Sequence, residues 1–195
     1  MKLIVGLGNP GDIYAGSRHN IGFSLVKALS RTHKIPLRKD SATFSLSGKG
    51  KISGQSVILA MPLTFMNLSG IAVGALLRKH KVTLDNLFVV CDDLDLEFAR
   101  LKVKPSGSSG GQRGLESIIE SVKSGSFARL RIGIGRPGRD AQPSEYVLSP
   151  FSRKEKERMP GILEKGIECC QVWVREGVTG SMNIFNGVGK YKTLS

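Results

Sequence analysis

Few residues in this chain could carry chemistry. Its three histidines, His19, His33 and His80, are scattered, and its three cysteines, Cys91, Cys169 and Cys170, form an odd set with no Cys-x-x-Cys. No HExxH occurs, and no Cys/His spacing suits zinc. His19 stands out because it lies in a polar loop beside Arg18, just ahead of a helix start. An imidazole accepts a proton near neutral pH, which makes it a natural general base. The plain alternative is a surface or capping histidine. Asp92 follows the apolar run Leu87 to Cys91, at the end of a predicted strand, where α/β proteins place their sites. A buried carboxylate there can hold a histidine in the right tautomer. A turn or helix-cap aspartate is the alternative, and Asp93 and Asp95 read as solvated or capping. No G-x-S-x-G elbow supplies a nucleophile, so a hydrolytic reading of the pair requires water in that role. Cys91 reads as a small core residue.

Two glycine-rich segments and one apolar segment compete for a ligand. Gly6-Leu-Gly8-Asn-Pro-Gly11 has the form G-x-G-x-x-G of a dinucleotide fingerprint. Pro10 interrupts it, a polar loop follows where an amphipathic helix belongs, and the ribose-binding acid about 20 residues on is missing. Gly107 to Gly114 could cradle a phosphate at a helix start, with Arg113 adding a cation, but it lacks the P-loop ending; a flexible loop is the alternative. Phe65, Met66 and Asn67 sit between Pro62 and a helix. They either present an aromatic and a methionine to a base or a peptide, or staple and cap that helix.

The elements that must position these residues alternate between strand and helix. Lys2 to Leu7 is β-rich and apolar, and a long loop runs from Gly8 to Asn20. Asn20 is placed to cap a helix carrying Ile21, Phe23, Leu25, Val26 and Leu29. Thr43 to Ala60 reads as two strands, closed by Met61-Pro62, and Asn67 or Ser69 opens the next helix. Leu87 to Cys91 and Arg100 to Val103 are strands; Pro105 to Gly114 is a loop; Leu115 to Val122 is a helix; Leu130 to Ile134 is a strand. Arg136 to Pro150 reads as a surface loop, and Ser152 to Glu176 as the last helix, broken or started by Pro160. With no repeat and no linker, this predicts one α/β domain across residues 1–195, built on a twisted, mostly parallel mixed sheet flanked by helices.

Charge narrows the partner. Twenty-nine Lys and Arg against 16 Asp and Glu give +13, which favours an acidic partner, nucleic acid first. No apolar run approaches the roughly 20 residues of a membrane helix, and no secretory signal opens the chain. Together with the cysteine pattern, this reads as a cytoplasmic protein.

Several segments taken in order resemble one family. Gly6-Leu-Gly-Asn-Pro-Gly11, Tyr14-Ala15 and Ser17-Arg-His-Asn-Ile-Gly22 are similar to the opening signature of bacterial peptidyl-tRNA hydrolases. Thr64-Phe-Met-Asn-Leu-Ser-Gly70, Asp92-Asp-Leu-Asp-Leu96, Gly110-Gly-x-x-Gly-Leu115 and Phe127-x-Arg-Leu-Arg-Ile-Gly-Ile-Gly-Arg-Pro137 resemble the later ones. The resemblance implies hydrolysis of the ester between a peptide and its tRNA. It assigns His19 as the general base and Asp92 as its orienting partner. Asn9 positions the substrate and favours a blocked amino group. Asn67 binds substrate near the ester and steadies the oxyanion. Tyr14, Phe65 and Met66 line the cleft. It also implies a monomer without metal or organic cofactor, acting on peptidyl-tRNA without reading its sequence.

One position departs from the family. Where its fourth signature usually reads His-Asn, this chain has Gln112-Arg113. Arg113 donates hydrogen bonds but cannot accept them, so a phosphate contact is expected there. Further grip on the polyanion is expected from Lys102, Lys104, Arg131, Arg136 and Arg139. Two rival readings stay open: a non-catalytic RNA-binding relative on the same fold, and a nucleotide-cofactor enzyme using the Gly6–Gly11 turn.

Overall fold

The computed structural model describes residues 1–138 and 142–187. The elements, in chain order, are β1 (Lys2–Gly6), α1 (Ile21–Thr32), β2 (Arg38–Asp40), β3 (Ser45–Ile52), β4 (Gln55–Pro62), α2 (Ser69–His80), β5 (Leu87–Asp93), β6 (Leu101–Lys104), α3 (Arg113–Val122), β7 (Ala128–Gly133), α4 (Pro143–Leu148) and α5 (Arg153–Phe185). The strands form a 7-stranded sheet in the order β2-β3-β4-β1-β5-β7-β6. Strands β4, β1, β5 and β7 run parallel, and the antiparallel pairings lie towards the edges. This is the α/β fold expected from the sequence.

Both faces of the central strands are covered, which is why Lys2 to Leu7 and Leu87 to Cys91 read as unbroken apolar runs. Ile4, Leu59, Phe88 and Val90 point to one face and pack with Leu25 and Leu29 of α1 and Trp173 of α5. Leu3, Val5, Ile58 and Val89 point to the other and pack with Val73 and Leu76 of α2 and Leu115 and Ile118 of α3. Successive side chains thus alternate between the layers, as a strand's period of two requires.

The glycines of the first turn serve packing. A Cβ at Gly6 would run into the carbonyl oxygen of Gly22, and one at Gly8 would lie 2.7 Å from the Phe23 ring. The end of β1 and the start of α1 therefore touch backbone to backbone, with Phe23 N–H donating to the Leu7 carbonyl at 3.2 Å. That accounts for the fingerprint-like spacing without a nucleotide.

Several boundaries differ from the sequence reading. Met61 and Pro62 do not close the hairpin but continue β4, paired with Leu46 and Ser45. The short β2 carries no apolar pattern and escaped detection. Within the segment read as a loop, residues 143–148 form α4, started by Pro143 at its first turn. The last helix runs to Phe185 rather than Glu176, passing through Pro160 and bending at Gly177, whose φ is 76°. Pro160 removes one backbone donor, yet the buried face of Ile162, Gly166, Cys169, Cys170 and Trp173 holds the helix against the sheet. At its start, Ser152 and Glu155 form a reciprocal capping box. Just past its end, Asn186 bonds both main-chain groups of Val103: Oδ1 accepts its N–H at 2.7 Å, and Nδ2 donates to its carbonyl at 2.7 Å.

Candidate active site

The carboxyl ends of the parallel strands converge on one cleft of about 680 Å³. Strand β1 leads leftward in the sheet through α1, while β4 leads through α2 to β5 on the far side of β1. This reversal opens a crevice outside the strand ends, the usual place for a ligand in such sheets.

His19 is the middle residue of a 3-10 turn, Arg18–Asn20, that crosses the end of β1. It is 9% exposed, and Asp92, at the end of β5, is 3% exposed. His19 Nδ1 lies 2.8 Å from Asp92 Oδ1, in a contact whose N–H is not aimed as in a linear hydrogen bond. Asp92 thus lies against Nδ1, and Nε2 is the imidazole nitrogen left for other work.

The turn bearing His19 is anchored from outside. Arg18 donates to Ser149 Oγ at 2.7 Å and to the Pro150 carbonyl at 2.6 Å, and it pairs with Glu155 at 2.7 Å. Its guanidinium also sits 4.2 Å from the Tyr146 ring centroid. Asn20 does not cap α1 with its side chain. Its amide instead brackets Asn9, accepting from the Asn9 N–H at 2.8 Å and donating to the Asn9 carbonyl at 2.9 Å.

Asn9 then reaches across the cleft, its Oδ1 accepting the Met66 N–H at 2.8 Å. With Oδ1 engaged, Asn9 meets a ligand through Nδ2, as a donor. Met66 and Asn67 lie in a 3-10 turn that precedes α2, so Asn67 is not that helix's cap. Met66 is buried, whereas Phe65 is 55% exposed, and both line the cleft with Asn67, Asn9, His19 and Asp92. Tyr14, in the preceding turn Asp12–Tyr14, is not among the lining residues.

Asp95 is exposed, as a solvated residue should be, but Asp93 is not solvated. Asp93 is buried, accepts the Asp95 N–H at 2.9 Å and lies 2.7 Å from Arg131 Nε. Burial raises its carboxyl above the usual range, while the Asp95 N–H and the Arg131 guanidinium act the other way. Asp95 accepts from Arg136 Nε at 3.0 Å. Cys91 is fully buried beside them, and that burial pushes its thiol up, so it stays protonated in the core.

Gln112 and Arg113 open α3. Arg113 is exposed and faces the cleft. Gln112 Oε1 accepts the Leu115 N–H at 2.8 Å, capping the helix, and Gln112 Nε2 donates to Asp92 Oδ1 at 3.0 Å. The sequence reading began this helix at Leu115, so the cap role was not seen; a glutamine three residues before an apolar helix position was the available signal. Arg129 was also missed. It is 1% exposed, yet it donates to the carbonyls of Gly107, Ser108 and Gly125, pinning the glycine-rich loop. A charged residue at an inward strand position has no periodic signature of its own. Of the expected basic contacts, Arg131 and Arg136 line the cleft with their acidic partners, Lys102 and Lys104 lie on β6, and Arg139 falls outside the described residues. Among those residues no group of three His, Cys, Asp or Glu is placed to hold a metal ion.

The fold is α/β, and the crevice at the switch point of its mixed sheet holds a buried histidine–carboxylate pair faced by two asparagines. Comparison with known proteins specifies the family. A family model described as peptidyl-tRNA hydrolase matches residues 3–193. The peptidyl-tRNA hydrolase of Syntrophomonas wolfei is 44% identical over 186 residues, covering 95% of this chain and 100% of the relative. That of Desulforudis audaxviator is 46% identical over 186 residues, covering 95% and 93%. A crystal structure of peptidyl-tRNA hydrolase from Acinetobacter baumannii superposes with a TM-score of 0.90 at 35% identity, covering 96% of this chain and 95% of that one. The chain belongs to the peptidyl-tRNA hydrolase family.

Proposed function

We infer that this protein hydrolyses the ester joining a peptide, or an N-blocked aminoacyl group, to the terminal ribose of tRNA, freeing the tRNA for reuse. The observation that carries the reading is the buried His19–Asp92 pair, opening on the same cleft as Asn9 and Asn67, in a chain of this family.

In this reading His19 Nε2 takes a proton from water as the water oxygen attacks the ester carbonyl carbon. Asp92 stabilises the imidazolium that forms, and Asn67 donates to the carbonyl oxygen as it becomes an oxyanion. Collapse of the tetrahedral intermediate breaks the bond to the ribose oxygen, which takes the proton back from Nε2. The products are tRNA with a free hydroxyl and a peptide carboxylic acid, which loses its proton to solvent. General-base assistance contributes about 10²–10⁴-fold. The ester is already activated, so one base and one positioned water suffice.

Asn9, a donor towards the cleft, suits the carbonyl of the peptide bond that a blocked amino group carries and a free aminoacyl group lacks. Phe65 and Met66 form the apolar wall for peptide or terminal base. Arg113 and the basic surface hold phosphates without reading sequence. The same reading makes the protein a cytoplasmic monomer; no helix among the described residues is long and apolar enough to cross a membrane. No observation favours the RNA-binding alternative without turnover, since both members of the base pair are in place.

The test is release of peptide from an N-blocked aminoacyl-tRNA. Wild type should release it, and His19→Ala should slow release by at least about a hundredfold. Tight tRNA binding with no release by wild type would remove the enzyme reading.

A further inference from the structure

Gln112 is tied at both ends of its amide. Its oxygen accepts a backbone N–H, Leu115 N at 2.8 Å, which can only donate. The amide orientation is therefore fixed, and Nε2 must face the carboxylate it meets, Asp92 Oδ1 at 3.0 Å. Nε2 also lies 3.4 Å from Met66 Sδ. Asp92 Oδ1 is the same oxygen that faces His19 Nδ1. The first turn of α3 is thus connected through one buried side chain to the carboxylate that serves His19. Gly114 locks this turn in place: a Cβ there would run into Met66 Sδ and lie 3.0 Å from Gln112 Oε1.

We propose that Gln112 is a positioning residue for the hydrolytic pair: anchored by the α3 cap, it fixes Asp92 and shares the charge on the oxygen that faces His19. The proposal rests on the hydrolase reading for its rate effects, though not for its effect on His19 itself.

The direction follows from the geometry. A donor on Oδ1 withdraws part of the charge that would otherwise stabilise a protonated His19. Removing it strengthens the hold of Asp92 on the imidazolium, so His19 loses its proton only at higher pH. Other charges around the pair do not substitute for this donor. Arg131, from β7, is directed to Asp93, and Arg18, beside His19, is directed to Glu155. Arg136 is directed to Asp95, and Cys91 is a buried neutral thiol. Arg113, at the start of α3, is exposed to solvent.

The decisive variant is Gln112→Asn. Asparagine is a preferred N-cap and can still accept the Leu115 N–H, but it is one methylene too short to reach Asp92 as well. Gln112→Ala, which loses cap and donor together, is the companion. Three quantities are measured: thermal unfolding, the NMR titration of the His19 imidazole, and the pH profile of kcat for peptide release. In Gln112→Asn the unfolding midpoint should stay close to wild type. The His19 titration and the acid limb of kcat should both move to higher pH, and kcat at neutral pH should fall roughly tenfold. An unmoved His19 titration in Gln112→Asn overturns the proposal, whether or not kcat falls, because a purely structural role leaves that titration alone. Wild type that releases no peptide would instead defeat the hydrolase reading, and the NMR titration would still judge Gln112.

Discussion

Replacing Asp92 by asparagine tests the electrostatic account of the pair in one step. The substitution preserves shape, and the structure restricts how the new amide can sit. Gln112 Nε2 donates to Oδ1, so the oxygen of the introduced amide is held where Oδ1 was, 2.8 Å from His19 Nδ1. An acceptor oxygen thereby stays beside Nδ1, and the main change is the loss of the negative charge. Opposite unit charges with centres about 4 Å apart attract by about 4 kcal/mol at an effective dielectric constant near 20. If roughly half a positive charge has developed on His19 in the transition state, about 2 kcal/mol is lost, or close to 30-fold in kcat. Losing the anion also makes the imidazolium less stable, so the acid limb of kcat should move to lower pH, opposite to the shift expected for Gln112→Asn. Single-turnover peptide release across a pH series measures both effects. A loss of about 10⁴-fold would mean the tautomer had flipped and that Gln112 does not hold the amide. A loss under about threefold would mean that Asp92 gives no charge stabilisation, and the reasoning would fail.

Other outcomes follow from single contacts. Gly6→Ala forces a methyl into the Gly22 carbonyl and should cost roughly 3 kcal/mol. The loss can be read from denaturation followed by the emission of Trp173, which stacks on Phe88 at 4.7 Å. Ser152→Ala removes the α5 cap and should cost about 1 kcal/mol in the same measurement. Arg129→Met removes the donor to four carbonyls and should loosen residues 107–111, seen as faster amide exchange there, with a stability loss of roughly 3 kcal/mol. Arg113→Asn should raise KM several-fold with little change in kcat. It should also lower the slope of log affinity against log salt by about 1, and an unchanged slope would exclude a phosphate contact.

What the sequence made legible was whatever left a periodic or positional mark. The apolar runs of β1 and β5 announced the sheet, and the end of the second run placed Asp92. The pairing of His19 with Asp92 left no such mark, since 73 positions separate them and only the β1–β5 neighbourhood brings them together. Roles decided by side-chain geometry were similarly hidden. Asn20 looked like a cap and instead brackets Asn9, because its position in the turn aims the amide back at the strand end. Asp93 looked solvated because its neighbours in sequence are acidic, but its register opposite Gly133 places it inside, near Arg131. Helix α4 was lost because a six-residue helix beside Pro and Gly has no room to show a period.

The Asn186 side chain has an effect at the level of the whole sheet. By matching the N–H and carbonyl of Val103, it occupies the outward hydrogen-bonding positions of β6 as an added strand would. At the opposite border, β2 is only three residues long and carries Arg38 and Lys39. Short, charged or covered borders of this kind discourage another molecule's strand from adding on. Replacing Asn186 by alanine would uncover the β6 border, and self-association on concentration or gentle heating is where the change should first become visible.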